Sequence, residues 1–512
     1  MDTLRTTILA AIVAAAAFPG CNKDNGGQTA PEQDTPEPQD LVTDSFTGYP
    51  SGQGACVDSY LTMTFSTPPQ AGTSGEIRIL DADGNVADMI DMADIAALSG
   101  GIPAMTESTI FTTAMDAVGS AEAGYRIVYY EPVRTEGNTI VIRPHSDKLE
   151  YGGTYRVEID AEAIIADGFD GVGGDTWTFT VKEAPEYDGE VSVGSRSCDF
   201  MTVQGAVNYA MYCGQSREMT ICVTDGIYRE PLYIHNKNRL TIRGESRENT
   251  IVRFASSNEY IPGVGKGVEE APEPGEPVGE IGGRAVILVE NCDLLCLENI
   301  SLENSYGHGA QAEVIYFNCD NGRLIAKDCN LSSEQDTIEL KGWCLFEGCT
   351  ITGDVDFIWG YARAALFESC EIRSCDAGYI VQARCKKGDR GFVFKDCRIT
   401  ALGNVEDGSV YLARSGGNSS EYDNVTYIGC RMDYHISADG WYSRTAPTPA
   451  NADPENGWKE YGNTNLYGNP LDVSGRYSGS IQLTESDAAA LYSDREAIFA
   501  DCPSGTEWAV AQ

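Results

Sequence analysis

Two aspartates in apolar company carry the candidate chemistry of this chain. Asp356 lies in Gly353-Asp354-Val355-Asp356-Phe357-Ile358-Trp359-Gly360, among Val355, Phe357, Ile358 and Trp359. An ionised carboxylate there needs a cationic or hydrogen-bonding partner, or its pKa shifts. Twenty residues upstream, Asp336 stands in Ser333-Glu334-Gln335-Asp336-Thr337-Ile338. Two acids in unlike surroundings can divide acid–base and nucleophilic work, provided that the fold brings them together.

The elements that must do so are written in a cysteine pattern. Lys327-Asp328-Cys329-Asn330-Leu331, Phe346-Glu347-Gly348-Cys349-Thr350-Ile351, Phe367-Glu368-Ser369-Cys370-Glu371-Ile372, Phe394-Lys395-Asp396-Cys397-Arg398-Ile399 and Tyr427-Ile428-Gly429-Cys430-Arg431-Met432 each place an apolar residue two positions after Cys. Four of the five carry an aromatic three positions before it. Short strands recurring every 20 or so residues without helices between them describe a parallel β-solenoid. The cysteines follow one another at 20, 21, 27 and 33 residues, regular first and then lengthened by loops. Asp336 and Asp356 share the first spacing. They are therefore expected on adjacent turns at equivalent points, about 4.8 Å apart along the stack.

In chain order, residues 1–21 hold Arg5, an apolar run from Ile8 to Phe18, and Phe18-Pro19-Gly20-Cys21. The run is shorter than the roughly 20 apolar residues of a membrane span. Small residues before Cys resemble a bacterial lipobox, so Cys21 is expected to be the lipidated first residue of the mature protein. Residues 22–41 are polar and read as a flexible tether. From 42 to 184 the pattern is all-β: Leu61, Met63 and Phe65 alternate with polar residues, as do Ile77 and Ile79, then Tyr155, Val157 and Ile159, then Trp177, Phe179 and Val181. About this many strands with turns between them suggest a β-sandwich, and Leu61 to Ser66, Leu149 to Tyr155 and Thr176 to Thr180 resemble bacterial immunoglobulin-like modules. A linker, Glu183 to Gly189, leads to a second domain, 191–512. Phe200 to Ala210 has helical spacing and is expected to cap the first end of the solenoid. Residues 257–284, with four prolines, read as an inserted surface loop; its Gly263-Val264-Gly265-Lys266-Gly267 lacks the Ser or Thr and the spacing of a phosphate loop.

The second domain resembles the pectin methylesterases from about 191 to 500. Gly226-Ile227-Tyr228-Arg229-Glu230 is similar to that family's GxYxE, Gln311-Ala312 to its first glutamine motif, Gln335-Asp336-Thr337 to QDT, Asp356-Phe357-Ile358-Trp359-Gly360 to DFIFG, and Tyr411-Leu412-Ala413-Arg414 to the start of YLGRPW. The resemblance implies a right-handed parallel β-helix and hydrolysis of galacturonate methyl esters in methylesterified homogalacturonan, releasing methanol. It also implies roles. Asp356, held ionised by Arg414, would attack the ester carbon; Asp336 would begin protonated and serve as acid, then base. Gln311 and Gln335 would hold the oxyanion, with Gln382 as a nearby polar support on the substrate side. Neither metal nor cofactor enters. Arg414 is followed by Ser415-Gly416 where the family has Pro-Trp, so the sugar platform is expected from Trp441, with Trp359 adding stacking surface.

Each feature alone has a plainer meaning. An isolated Asp after Gly is usually a turn acid, and Gln on a β-helix often belongs to a stacking ladder; their joint occurrence on successive turns reverses that weighting. Tyr228 and Glu230 read as structural, tying a turn. His145, His235, His308 and His435 are scattered and fit no metal or triad spacing, and His308, near Gln311, reads as a solvated loop residue. Of 17 cysteines most read as small apolar ladder residues, and few disulfides are expected, although Cys344 with Cys349 or Cys370 with Cys375 are close enough in sequence to pair. A formal charge of −41 argues against nucleic acid or an anionic membrane surface as partner and favours a highly methylated substrate over a polyanionic one. The reading is thus all-β: an immunoglobulin-like β-sandwich before a parallel β-helix esterase, a monomer anchored by lipid in the outer membrane of a Gram-negative bacterium, on its cell-surface or periplasmic side. Two alternatives remain, a glycoside hydrolase or lyase on the same polymer, and a non-catalytic pectin-binding lipoprotein. The paired glutamines speak against the first, because acyl transfer needs an oxyanion hole. The set Asp336, Asp356 and Arg414 speaks against the second.

Overall fold

The computed structural model describes residues 37–98, 115–121, 123–259, 261, 263, 265–269, 282–445 and 452–510. The apolar run, Cys21, tether residues 22–36 and most of the 257–284 insertion lie outside these. Among the described residues no helix is long and apolar enough to cross a membrane.

From Glu190 onward the strands are parallel and stack turn upon turn. One sheet holds eleven of them, from Glu190–Val193 through Arg323–Lys327, Trp343–Glu347, Ala364–Glu368 and Gly391–Lys395 to Ile481–Gln482. Two further ladders run beside it and merge where the long strands Thr350–Gly360 and Glu371–Ala383 belong to both. This is a parallel β-helix, and the repeat in the sequence is its turn.

The cysteine pattern has a local cause. The residue before each cysteine, Asp328, Gly348, Ser369, Asp396 or Gly429, has φ between 51° and 63°. Asp, Ser and Gly tolerate that left-handed bend, which sends the chain from one sheet to the next. Cys329, Cys349, Cys370, Cys397 and Cys430 then point inward, at most 1% exposed, and each thiol donates to a carbonyl of the preceding turn at 3.1–3.4 Å. Cys344, Cys349, Cys370 and Cys375 are all free thiols, so neither close pair forms a bridge. Three residues earlier in the repeat, Phe346, Phe367, Phe394 and Tyr427 stack at 4.8, 4.6 and 4.5 Å between centroids, within 11° of parallel. Identical side chains in register thus fix the register of the turns.

The first end is closed by the helix Val203–Tyr212. Thr202 caps it, and the buried Glu230 carboxylate accepts from the Val203 and Gln204 amides, both at 2.9 Å. That anion at a helix N-terminus accounts for Glu230; Tyr228 donates its hydroxyl to the Thr224 carbonyl at 2.9 Å, within the same bend. Three short helices from Glu485 to Val510 cover the outer face of the eleven-stranded sheet, burying Tyr492, Phe499 and Trp508 against Ile325, Leu345, Leu366 and Val393.

Ahead of the β-helix, Phe46–Ala55 shares two mostly antiparallel sheets, one with Leu61–Phe65, Val133–Glu136 and Thr139–Ile142, the other with Thr178–Val181, Thr154–Ile159, Glu76–Leu80 and Val86–Asp91. Leu61, Met63, Ile77, Val157, Trp177 and Phe179 meet in one core between them. One part of the 42–184 span departs from the sequence expectation. The hairpin Met115–Ser120 with Gly124–Tyr129 joins neither sheet. Val118 and Val128 pack instead on Tyr233, Leu288 and Tyr316 of the β-helix. Arg126, fully buried, drives this placement: its guanidinium donates to the carbonyls of Gly282 at 2.7 Å, Gly283 at 2.8 Å, Leu232 at 3.0 Å and Val286 at 3.3 Å, and to that of Ala285. With no carboxylate in ion-pair contact among the described residues, this buried cation is tolerable inside only because its donors are filled in this way.

Candidate active site

The register Ile315–Ile338–Ile358 runs across three adjacent turns. Two residues before those isoleucines stand Glu313, Asp336 and Asp356. Asp336 and Asp356 both leave the extended region, with φ of 64° and 50°, an uncommon conformation that recurs at functional positions. They are 4% and 3% exposed, and the Asp336 amide donates to the Val355 carbonyl at 3.0 Å.

Their environments differ in the cations they meet. Arg414 Nε donates to Asp356 Oδ1 at 2.7 Å and Oδ2 at 2.9 Å, and its Nη2 also contacts Oδ2. Gln382 Nε2 adds a donor to Oδ2 at 2.7 Å. Burial leaves the Asp356 carboxyl above its ordinary value, against the downward pull of the Arg414 fork, the nearby Arg384 charge and Gln382. Asp336 has no such fork. Its nearest cation is Arg284, 3.7 Å away and already engaged by Glu313 at 2.8 Å. Burial first, then the Glu313 and Asp356 charges, push the Asp336 carboxyl up to about 8, against Arg284 and Arg384. The two carboxyls thus face the same cleft with unlike partners, one gripped by a two-pronged cation and one without it.

The remaining expected residues sort by position. Gln311 and Gln335 meet through an isolated parallel bridge, half-buried on adjacent turns beside the carboxyls, where two side-chain amides can converge on one oxyanion. Gln382 is wired to the carboxylate on one side, and on the other its Oε1 accepts from Arg384 Nε at 2.8 Å, so it orients Asp356 rather than standing free for substrate. Trp359 aligns with Gln382 on the next turn and is 5% exposed; Arg384 lies 4.8 Å over its ring. Trp441 is a correction. It is 1% exposed and stacks on Trp458 at 5.4 Å inside the β-helix, because its strand turns that side chain inward, so it offers sugar no platform. Of Ser415-Gly416, Ser415 is buried.

Sequence reasoning missed four residues. Arg284 and Glu313 form an ion pair, 4% and 1% exposed at their side chains, against Asp336. Glu313 lay one turn-length before Asp336, a signal that the repeat contained. Arg384 links Gln382, Trp359 and Tyr361. Glu339, the neighbour of Trp359 in register, is pushed up to about 9 by burial and the Glu313 charge. Next to the carboxyls a cavity of about 340 Å³ is lined by Tyr316, Asp320, Glu339, Lys341, Trp359, Tyr361, Arg363, Arg384 and Lys386. Trp359 Nε1 and Glu339 Oε2 find no hydrogen-bond partner among the described residues. His308, expected as a solvated residue, is 70% exposed, yet its Nδ1 lies 3.0 Å from Glu334 Oε2 and 3.3 Å from Asp354 Oδ2, a grouping that spacing along the chain concealed.

Comparison with known proteins gives this geometry a family. The family model described as Pectinesterase matches residues 283–498. "Pectinesterase 31" of Arabidopsis thaliana is 32% identical over 253 residues, 48% of this chain and 74% of that protein. "Probable pectinesterase A" of Aspergillus flavus is 30% identical over 259 residues, 48% and 72% of the two chains. Among solved structures, the pectin methylesterase of Aspergillus niger matches at 24% identity and a TM-score of 0.49, covering 64% of this chain and 97% of that one. The matched span holds the whole constellation from Arg284 to Arg414, and on the two sequence matches the chain belongs to the pectinesterase family of carboxylic ester hydrolases.

Proposed function

We propose that this chain hydrolyses the methyl esters of galacturonate in pectin, with Asp356 as nucleophile and Asp336 as the acid that becomes a base. The carrying observation is the asymmetry of the two carboxyls, one gripped by Arg414, the other pushed up to about 8. Asp356 attacks the ester carbonyl carbon, and the negative charge moves to its oxygen, where the Gln311 and Gln335 amides receive it. Collapse of that intermediate expels methoxide, which takes the Asp336 proton and leaves as methanol. Asp336, now anionic, removes a proton from water; hydroxide attacks the Asp356 acyl group, and the free galacturonate carboxyl departs with Asp356 regenerated. Arg414 keeps Asp356 charged and aimed throughout.

The cleft beside the carboxyls supports a refinement about substrate. Lys341, Arg363, Arg384 and Lys386 line it, opposed by Asp320 and a Glu339 that holds its proton. Inside a chain of net charge −41 this is a local positive surface with a tryptophan edge and two tyrosines. It suits a saccharide that already bears a free carboxylate, so the overall charge does not set the preference; local field does. The amino-terminal lipid anchor at Cys21, the tether and an immunoglobulin-like spacer complete the proposal: an esterase held at the outer membrane. Labelled palmitate incorporated by the full chain and lost in Cys21→Ala is the result that anchor requires.

Methanol release from highly methylated pectin, wild type beside Asp356→Ala, tests the activity, with reducing ends and unsaturated products assayed in the same tubes. Methanol from the wild type alone, without chain cleavage, is the expected result. New chain ends without methanol would replace the proposal by a hydrolase or lyase.

A further inference from the structure

Outside the carboxyl pair, the described residues hold one group of side chains with metal-ligand chemistry: His308, Glu334 and Asp354, whose ligand atoms all lie within 4.8 Å of one another. We infer that these three side chains form a binding site for a divalent cation of the zinc type. Glu334 and Asp354 come from adjacent turns, with the Asp354 amide donating to the Glu334 carbonyl at 3.0 Å, so their carboxylates are held side by side by the backbone ladder. His308 reaches over them from the turn before.

Two observations ask for a cation rather than a proton. Asp354 is only 2% exposed, and Glu334 Oε2 is enclosed with His308 Nδ1, at 3.0 Å, as its ion-pair contact among the described residues. His308 Nδ1 carries at most one proton and can give it to one carboxylate at a time, which leaves the other, the buried Asp354 or the part-exposed Glu334, without a matching charge. No lysine or arginine pairs with either acid among the described residues; the further charged neighbour of Asp354 is Asp376, which adds to the negative field. The distances also fit. Four ligands on a tetrahedron with bonds of about 2.0–2.1 Å lie about 3.3 Å apart, against 3.0 Å for His308 Nδ1 to Glu334 Oε2 and 3.3 Å for His308 Nδ1 to Asp354 Oδ2. One imidazole nitrogen and two carboxylate oxygens select a borderline ion such as Zn²⁺ over Ca²⁺, which takes six to eight oxygens. Three protein ligands leave a fourth position for water.

The site adjoins the reaction centre. His308 precedes Gln311 by three residues, while Glu334 and Asp354 each stand two residues before Asp336 and Asp356. An ion there ties together the three turns that present the catalytic constellation. The site does not rest on which ester the enzyme takes, because it is tested without substrate.

The test is calorimetric titration of the full chain with Zn²⁺ alone, alongside His308→Ala and Asp354→Asn, with X-ray absorption of the loaded protein. One equivalent should bind, with nitrogen and oxygen but no sulfur in the first coordination sphere. Either variant should weaken binding beyond the ~10- to 100-fold that loss of an outer-shell partner typically costs. His308 is exposed, so its alanine variant keeps the fold and decides the matter even where Asp354→Asn does not fold. No saturable Zn²⁺ binding, equal binding by His308→Ala, sulfur ligation, or a response to Ca²⁺ in place of Zn²⁺ would each overturn the assignment.

Discussion

At the scale of single residues, the chemistry rests on a difference of partners. Asp336 and Asp356 are equally buried, and what separates them is the two-pronged Arg414 contact that only Asp356 receives. Asp336, the proposed acid, must stay protonated to act, so the rate of methanol release should fall as pH rises through about 8, where Asp336 loses its proton. A flat alkaline limb from pH 7 to 9 would remove Asp336 from that role. Replacing Arg414 by Ala withdraws the cation that pulls the Asp356 carboxyl down, so the acid limb should move to higher pH, measured as kcat/KM against pH. Gln335→Ala should lower kcat by about 10²–10³ with a small change in KM, the signature of a donor used in the transition state. Glu339 offers a stability counterpart. Its folded pKa of about 9 lies above the ordinary carboxylate value, so between roughly pH 4 and 9 the folded protein binds more protons than the unfolded chain, and stability declines as pH rises through that window. Glu339→Gln should therefore stabilise more at pH 8 than at pH 5 in urea titrations.

At the scale of elements, the turns are held in register by side chains that repeat. The Phe346–Phe367–Phe394–Tyr427 stack and the inward cysteines run up one face of the interior. Phe367 sits between two aromatic neighbours and is fully buried, so Phe367→Ala should cost about 3–5 kcal/mol, the usual range for emptying an aromatic core site. A loss below 1 kcal/mol in equilibrium unfolding would mean that the stack closes around the gap. The strand that carries Phe367 runs parallel to Trp343–Glu347, on the turn that leads into Asp356. Loosening it should lower kcat as well as stability, since Asp356, the proposed nucleophile, holds a left-handed conformation that persists only where its surroundings maintain it.

At the scale of the molecule, the amino-terminal sheets and the β-helix are joined through charge and hydrogen bonds at the capped end. Asp58 accepts from the Thr202 amide at 2.7 Å and its hydroxyl at 2.6 Å, and from the Met201 amide at 3.1 Å, so a residue of the first domain completes the N-terminus of the cap helix. The 115–129 hairpin reaches further and, through Arg126, holds the carbonyls that flank Arg284. The first domain thus supports the ion pair behind Asp336. The net charge acts at the same scale, and the cleft runs against it. Lys341→Gln with Lys386→Gln should reduce activity on partly demethylated pectin more than on highly methylated pectin, and added salt should narrow that difference. Equal loss on both substrates would assign the lysines a role other than carboxylate binding.

Periodicity made much of this legible before any coordinates. A parallel solenoid announces itself because every turn must solve the same packing problem with the same residue types, so Cys and Phe recur and the spacing of Asp336 and Asp356 could be matched to it. Motif residues such as Gln311, Gln335 and Arg414 could be named because they lie in short contiguous strings. Other features depend on where a side chain points or what lies across the interior, which no string records. Trp441 turns inward while Trp359 borders the cleft, although both are tryptophans near the motifs. The Arg284–Glu313 pair, the inserted hairpin and the meeting of His308 with Glu334 and Asp354 join residues 26 to more than 150 positions apart. The sequence by itself determined the turn and the chemistry it repeats; stacking in three dimensions decided which charges share a neighbour, because partners come from different turns.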